Sequence, residues 1–161
     1  MDSLTTVTYD QIAIGDSATY TRTVTERDVV LFSEVSGDLN PLHLDEGYAS
    51  GTAFGERIAH GMLSGAFISA CVAMKMLGPG TVYLGQTMKF LRPVKLGDTV
   101  TVTMIVAEKD DRRNKATLDC KVTNQNGKAV VTGTSEVMVA TEAASAPIPA
   151  LPEITVAGLD R

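Results

Sequence analysis

Apolar positions along this chain change period twice, which divides it into stretches of different structure. From Ser17 to Val24 the run SATYTRTV alternates as a short strand behind a turn at Gly15-Asp16. Thr25 then stands as a helix N-cap. Glu26 and Asp28 follow in the first turn, where carboxylates favour the positive end of the helix dipole. Val29, Val30, Phe32 and Val35 form one apolar stripe, and the pattern ends this helix at Gly37. Beyond it the periodicity lapses. Asp45 is placed to cap a weaker helix through Tyr48 and Ala49, but Gly47, Gly51 and Gly55 favour an irregular covering segment.

From Gly61 to Leu77 apolar residues occur nearly all round, with Lys75 as the only charge. That pattern predicts a helix buried on most of its faces. It is shorter than the about 20 apolar residues of a membrane span and stops at Gly78-Pro79-Gly80, so no membrane crossing is expected. The remainder is β-branched with partial alternation: Thr81 to Phe90, Asp98 to Glu108, Lys115 to Asn124 and Lys128 to Ala140. Turn residues separate these runs at Arg92-Pro93 with Gly97-Asp98, at Asp110-Asp111 with Asn114, and at Asn126-Gly127. The last predicts a type I′ hairpin turn. Hairpin connections make the sheet antiparallel, and the apolar helix needs a surface to bury it. An α+β fold, with an antiparallel sheet wrapped around one central helix, meets both demands. Residues 1–140 then form one domain, and 141–161 an extended, Ala- and Pro-rich tail along the surface.

Composition narrows the function more than the fold. A net charge of −5 without a basic run excludes a nucleic-acid footprint. Cys71 and Cys120 lack CxxC spacing and there are only two histidines, so no metal and no redox centre is expected. The thiols read as buried and free, and the N-terminus shows no charged region leading into an apolar one, so the expected location is the cytoplasm.

Chemistry concentrates in Ser36-Gly37-Asp38-Leu39-Asn40-Pro41-Leu42-His43. Proline between the acid and the imidazole forbids regular helical spacing, so a fixed loop must bring them together. A carboxylate and an imidazole around one water can divide a proton transfer between them. Taken singly, Asp38 also reads as a turn cap and His43 as a core histidine. Acid, Asn, Pro and His packed into one short loop favour a site. Ile58-Ala59-His60-Gly61-Met62 is the second element. A helix start offers unpaired N–H groups, and Gly61 allows a substrate oxygen to approach its amide.

These motifs carry a resemblance. Gly37 to Asp45, with Asp-x-Asn-Pro-x-His at its centre, resembles the hydratase-2 motif of MaoC-like hot-dog proteins. Ala59-His60-Gly61-Met62-Leu63 and Val82-Tyr83-Leu84-Gly85-Gln86 resemble the same family. The likeness runs from about Tyr9 to Val139 and is strongest to the (R)-specific enoyl-CoA hydratases that feed polyhydroxyalkanoate synthesis. It implies a hot-dog fold and reversible syn hydration of a trans-2-enoyl-CoA to the (R)-3-hydroxyacyl-CoA. Asp38 and His43 would then be the catalytic dyad and the Gly61 amide the oxyanion donor, with Asn40 and Ser69 in support. No cofactor is required beyond the coenzyme A of the substrate, and a homodimer joined through sheet edges is implied.

Small residues at Gly65, Ala66 and Cys71 leave room for an acyl chain. Lys89, Arg92 and Lys95 are candidates for the CoA phosphates, beside their reading as a solvated charged rim. A hot-dog acyl-CoA thioesterase and a non-catalytic acyl-CoA-binding protein are the competing functions. A thioesterase is not expected to carry the Asp-x-Asn-Pro-x-His core, and an intact dyad argues against a non-catalytic binder. A dehydratase for branched or dicarboxylic CoA esters also stays open.

Overall fold

Alternating apolar side chains give the chain a sheet with one dry face. In the computed structural model, residues 2–159 are described. Met1, Asp160 and Arg161 lie outside them, the last two being the end of the expected tail. Strands β2 (Ser17–Thr23), β3 (Val82–Phe90), β4 (Thr99–Asp110), β5 (Lys115–Thr123) and β6 (Ala129–Met138) pair antiparallel in the order β2-β4-β5-β6-β3. Val100, Val102, Met104 and Val106 of β4 turn inward beside Ala116, Leu118 and Val122 of β5. At two residues per repeat, each strand delivers every second side chain to the core.

Against that face lies α4 (Gly61–Cys71), which buries Leu63, Ser64, Phe67, Ile68 and Cys71. Its opposite side, with Met62, Ala66 and Ser69, is exposed. The expectation of burial on most faces therefore does not hold within one chain, because a single sheet covers only one side of a helix. The helix also changes character after Cys71. Val72–Met76 form a π-helical turn, closed by the Leu77 N–H donating to the Val72 carbonyl at 2.9 Å.

Local signals hold elsewhere. Helix α1 (Glu26–Ser36) begins with a reciprocal capping box. Asp28 N–H donates to Thr25 Oγ1 at 3.1 Å, and Thr25 N–H donates to Asp28 Oδ2 at 2.9 Å. Arg22 of β2 pairs with the same carboxylate. Gly37, at φ 74°, closes α1 in the left-handed conformation. Asp45 caps α3 (Glu46–Ser50) by accepting from the Tyr48 N–H at 3.0 Å, so part of the expected irregular segment is helical.

The turn at Asn126-Gly127 differs from expectation. Type I′ requires positive φ at both central residues, whereas Asn114 is the only non-glycine with positive φ among the described residues. Gly127 alone is left-handed here. Asn124 Oδ1 accepts from Asn126 and Lys128 N–H, each at 3.1 Å, and so organises a longer loop. A further pairing had no sequence expectation. β1 (Ser3–Thr5) and β7 (Ser145–Pro147) form a separate two-stranded ribbon, so the tail begins as a strand.

Strand β3 depends on one close approach. A Cβ at Gly133 of β6 would lie 1.9 Å from the Thr87 carbonyl oxygen of β3, inside any tolerable contact. Gly133→Ala is expected to lower unfolding stability by more than about 2 kcal/mol, measured in urea. Gly85→Ala, where a Cβ meets nothing within 4 Å, serves as the control and should change it by less than about 1 kcal/mol.

Candidate active site

The end of α1 and the start of α4 bring two polar loops to one place. Past Gly37, the Asp38 N–H donates to Ser36 Oγ at 3.2 Å, and Asp38 Oδ1 accepts from the Asn40 N–H at 3.1 Å. Asn40 Oδ1 in turn accepts from the Leu42 N–H at 3.1 Å and so caps α2 (Pro41–Leu44). The proline expected to forbid helix between acid and imidazole instead starts one, because at the first helical position its missing N–H is no loss. His43 rides on this single turn and is 8% exposed.

His43 Nδ1 lies 2.7 Å from the Ile58 carbonyl oxygen. A carbonyl only accepts, so Nδ1 carries the hydrogen, and the neutral ring keeps its lone pair on Nε2. Ile58 is held in turn: it bridges to Lys95, and the Ala59 N–H donates to the Val94 carbonyl at 2.7 Å. The second histidine, His60, is 3% exposed and stacks on His43 with centroids 3.8 Å apart and planes tilted by 31°. Its Nε2 lies 3.1 Å from the Asp38 main-chain oxygen and 3.2 Å from Ser33 Oγ. Burial holds this imidazole below the usual histidine range, and a charge on His43 would push it further, against the raising effect of the Asp38 carbonyl.

A carboxylate oxygen of Asp38 and one nitrogen from each histidine lie within 4.8 Å of one another. A carboxylate beside two imidazoles is a set that can pass protons, and its three groups are also of the types that ligate metal ions. Beside it opens a cavity of about 480 Å³ with largely apolar walls, lined by His43, His60, Gly61, Ser64, Phe90 and Arg92 among others. Gly61 is the first residue of α4, and no side chain among the described residues caps that helix. A Cβ there would sit 2.8 Å from Phe90 Cε1, so the ring packs on bare backbone.

The other expected residues are dispersed. Ser69 is exposed on α4 and does not line the cavity, where Ser64 stands instead. Gly65, Ala66 and Cys71 are also absent from its walls. Gly65 faces Met88, Ala66 is exposed, and Cys71 is fully buried with its thiol pushed up to about 11 by burial. Arg92 lines the cavity while donating to the Ala129 carbonyl at 2.7 Å. Lys95 pairs with Glu56, and Lys89 is exposed on β3. In the Val82–Gln86 motif, Tyr83 donates to buried Ser135 Oγ at 2.8 Å, and Ser135 donates to Gln86 Oε1 at 2.6 Å. That network serves the sheet and does not line the cavity.

Sequence reasoning gave His60 no role of its own. The available signal was Ser33, a polar residue one turn from Val29 on the inward stripe of α1, which needs a buried partner.

Comparison with known proteins finds relatives over most of the chain. The family model described as "MaoC like domain" matches residues 11–142. An (R)-specific enoyl-CoA hydratase of Rhodospirillum rubrum is 43% identical over 81% of this chain and 90% of its own length. The unliganded R-hydratase PhaJ1 of Pseudomonas aeruginosa superposes with a TM-score of 0.92 at 48% identity, covering 96% of this chain and 99% of that one. The (R)-hydratase of Aeromonas caviae involved in PHA biosynthesis gives 0.77 at 35% identity, over 80% and 97% of the two chains.

Burial of His60 makes stability depend on pH. The unfolded histidine takes up a proton as pH falls through its ordinary value of 6.5, while the folded one resists until its lower value is reached. Stability from this group is thus complete above that ordinary value and is lost as pH falls toward the folded one. Melting temperature should fall between about pH 7.5 and 5.5, and less steeply in His60→Gln.

Proposed function

Since the chain belongs to the MaoC-like family, we propose that it is an (R)-specific enoyl-CoA hydratase, adding water reversibly across a trans-2-enoyl-CoA to give the (R)-3-hydroxyacyl-CoA. The observation that carries the site assignment is the meeting of Asp38 and His43 beside an apolar cavity that also contains the start of α4. We assign water to the space between the two side chains. Nε2 of His43 has the free lone pair, which suits it to take a water proton as oxygen attacks C3. Asp38 accepts the other hydrogen of that water and orients it. The proton taken up is returned to C2 from the same face, so both new bonds form on one side.

Negative charge grows on the thioester oxygen during attack. The uncapped start of α4 supports the Gly61 amide as its donor, because backbone N–H groups there are fixed before the reaction and aligned with the helix dipole. Asn40 supports the dyad by capping the turn that carries His43. Arg92, on the cavity wall, is the most favourably placed of the three basic residues for the CoA phosphates. We take residues 1–140 as the catalytic unit. Free, buried Cys71 and Cys120 fit a reducing compartment and hence the cytoplasm.

We also propose a homodimer. The outer side of α4 exposes Met62, the π-helical turn after it exposes Met74, and the unpaired edge strand β3 exposes Val82, Tyr83 and Leu84. Such an edge favours pairing with a second copy.

Asp38→Asn and His43→Ala should each lower turnover of crotonyl-CoA by about 10²-fold or more, with circular dichroism unchanged, followed as loss of enoyl-thioester absorbance. Near-full turnover in either variant would remove that residue from the dyad, and thiol release without hydration would identify a thioesterase instead. Leu84→Glu should shift the protein toward monomer in sedimentation velocity.

A further inference from the structure

We infer that His60 is a positioning residue for the hydration reaction, holding Asp38 by its main chain and His43 by its ring while contacting no reacting atom. The inference rests on the dyad reading above. Among the described residues three hydrogen bonds hold Asp38 in place, and two of them, to Ser36 and Asn40, stay within the exposed stretch from the end of α1 to the start of α2. Only the third reaches a buried side chain, from His60 Nε2 to the Asp38 carbonyl at 3.1 Å. That bond ties the loop following α1 to the start of α4.

The tautomer follows from the same contact. The Asp38 carbonyl can only accept, so Nε2–H donates to it and Nδ1 holds the lone pair. Nδ1 is buried and has no partner among the described residues. A phenylalanine would fill this space without an unmet acceptor but would supply no donor. A histidine here is therefore accounted for by the bond that it makes at Nε2.

Stacking defines the second function. The His60 ring faces that of His43 at 3.8 Å, and the Phe32 ring packs against His60 at 5.0 Å. When His43 takes the water proton it becomes a cation lying against an aromatic face. A neutral His60 tolerates that charge, and a protonated one would oppose it. His43 and Asp38 are the titratable groups acting on His60, and burial keeps it neutral. His60 also directly precedes Gly61, so its anchored side chain fixes the peptide that presents the proposed oxyanion amide.

Two variants separate the bond from the stack in the full-length enzyme. His60→Gln keeps a donor where Nε2 stood and loses the ring. His60→Phe keeps a ring and loses the donor. With crotonyl-CoA, His60→Phe should lower kcat about a hundredfold with KM changed less than about threefold, the scale expected of a catalytic group misplaced by about 1 Å. His60→Gln should recover about tenfold of that loss.

Folded variants with kcat within about twofold of wild type would overturn the inference. So would a rise in KM alone, or losses that only track the folded fraction. Nitrogen NMR of the wild-type enzyme supplies a test independent of whether the variants fold. It should show His60 neutral near pH 7, with Nε2 protonated and Nδ1 bare. The opposite tautomer, or a charged ring, would overturn it. Asp38→Asn in the same assay separates the two readings. Near-full turnover there fails the dyad itself, whereas a dead Asp38→Asn beside active His60 variants fails only the positioning role.

Discussion

The hydrogen bond from His43 Nδ1 to the Ile58 carbonyl, 2.7 Å long and buried, is the contact on which the site depends. It joins a turn hanging from the end of α1 to the strand-like segment that leads into α4. Those segments have no regular pairing with each other, so their relative position is set by side chains. The bond also selects the tautomer of His43, which makes one contact responsible for both where the imidazole sits and which nitrogen is basic. Removing it would leave a buried N–H without a partner, a penalty of about 1–3 kcal/mol.

Around that contact the fold divides labour between rigid and adaptable parts. The sheet and the buried stripe of α4 supply a dry wall with alternate side chains locked into the core. The polar loops sit on the rim of that wall, held by short-range turns at Asp38, Asn40 and Asp45. Each turn uses a side-chain oxygen to accept a backbone N–H, so the loop is stiff without belonging to the core. The cavity lies where the two parts meet, with largely apolar walls interrupted by a few polar groups.

Much of this was legible where the causes are local. The capping box of α1, its left-handed glycine and the strand alternation all follow from neighbours within a few residues. The meeting of Asp38 and His43 was legible because Asp, Asn, Pro and His fall in one loop. What failed to show depends on distant partners. Nothing in Ser3–Thr5 signals a strand, since its partner lies at Ser145–Pro147. The identity of Asn126-Gly127 suggested a two-residue turn, but Asn124, through its side chain, imposes a longer one. His60 looked like a bystander because a histidine before a glycine carries no record of what stacks on it. The cavity wall is built by Phe90, Arg92 and Val94, far along the chain from α4, so small residues on that helix alone could not locate it.

The β1–β7 ribbon bears on how the molecule comes together. Three residue pairs form it, extended by Thr6 N–H donating to the Ala144 carbonyl and Ile148 N–H to the Asp2 carbonyl, each at 2.9 Å, and they join segments near opposite ends of the sequence. In an unstructured chain, closing so long a loop for so few contacts would be entropically prohibitive. In the folded chain the ends are already near each other. Tyr9 N–H donates to the Ala140 carbonyl at 2.8 Å and Val7 N–H to the Leu77 carbonyl at 2.9 Å, so the effective loop left to close is only a few residues long. The ribbon is thus a zipper of high effective concentration whose closure is favoured once the core has formed, and its largely exposed strands put it at the low-stability end of the fold.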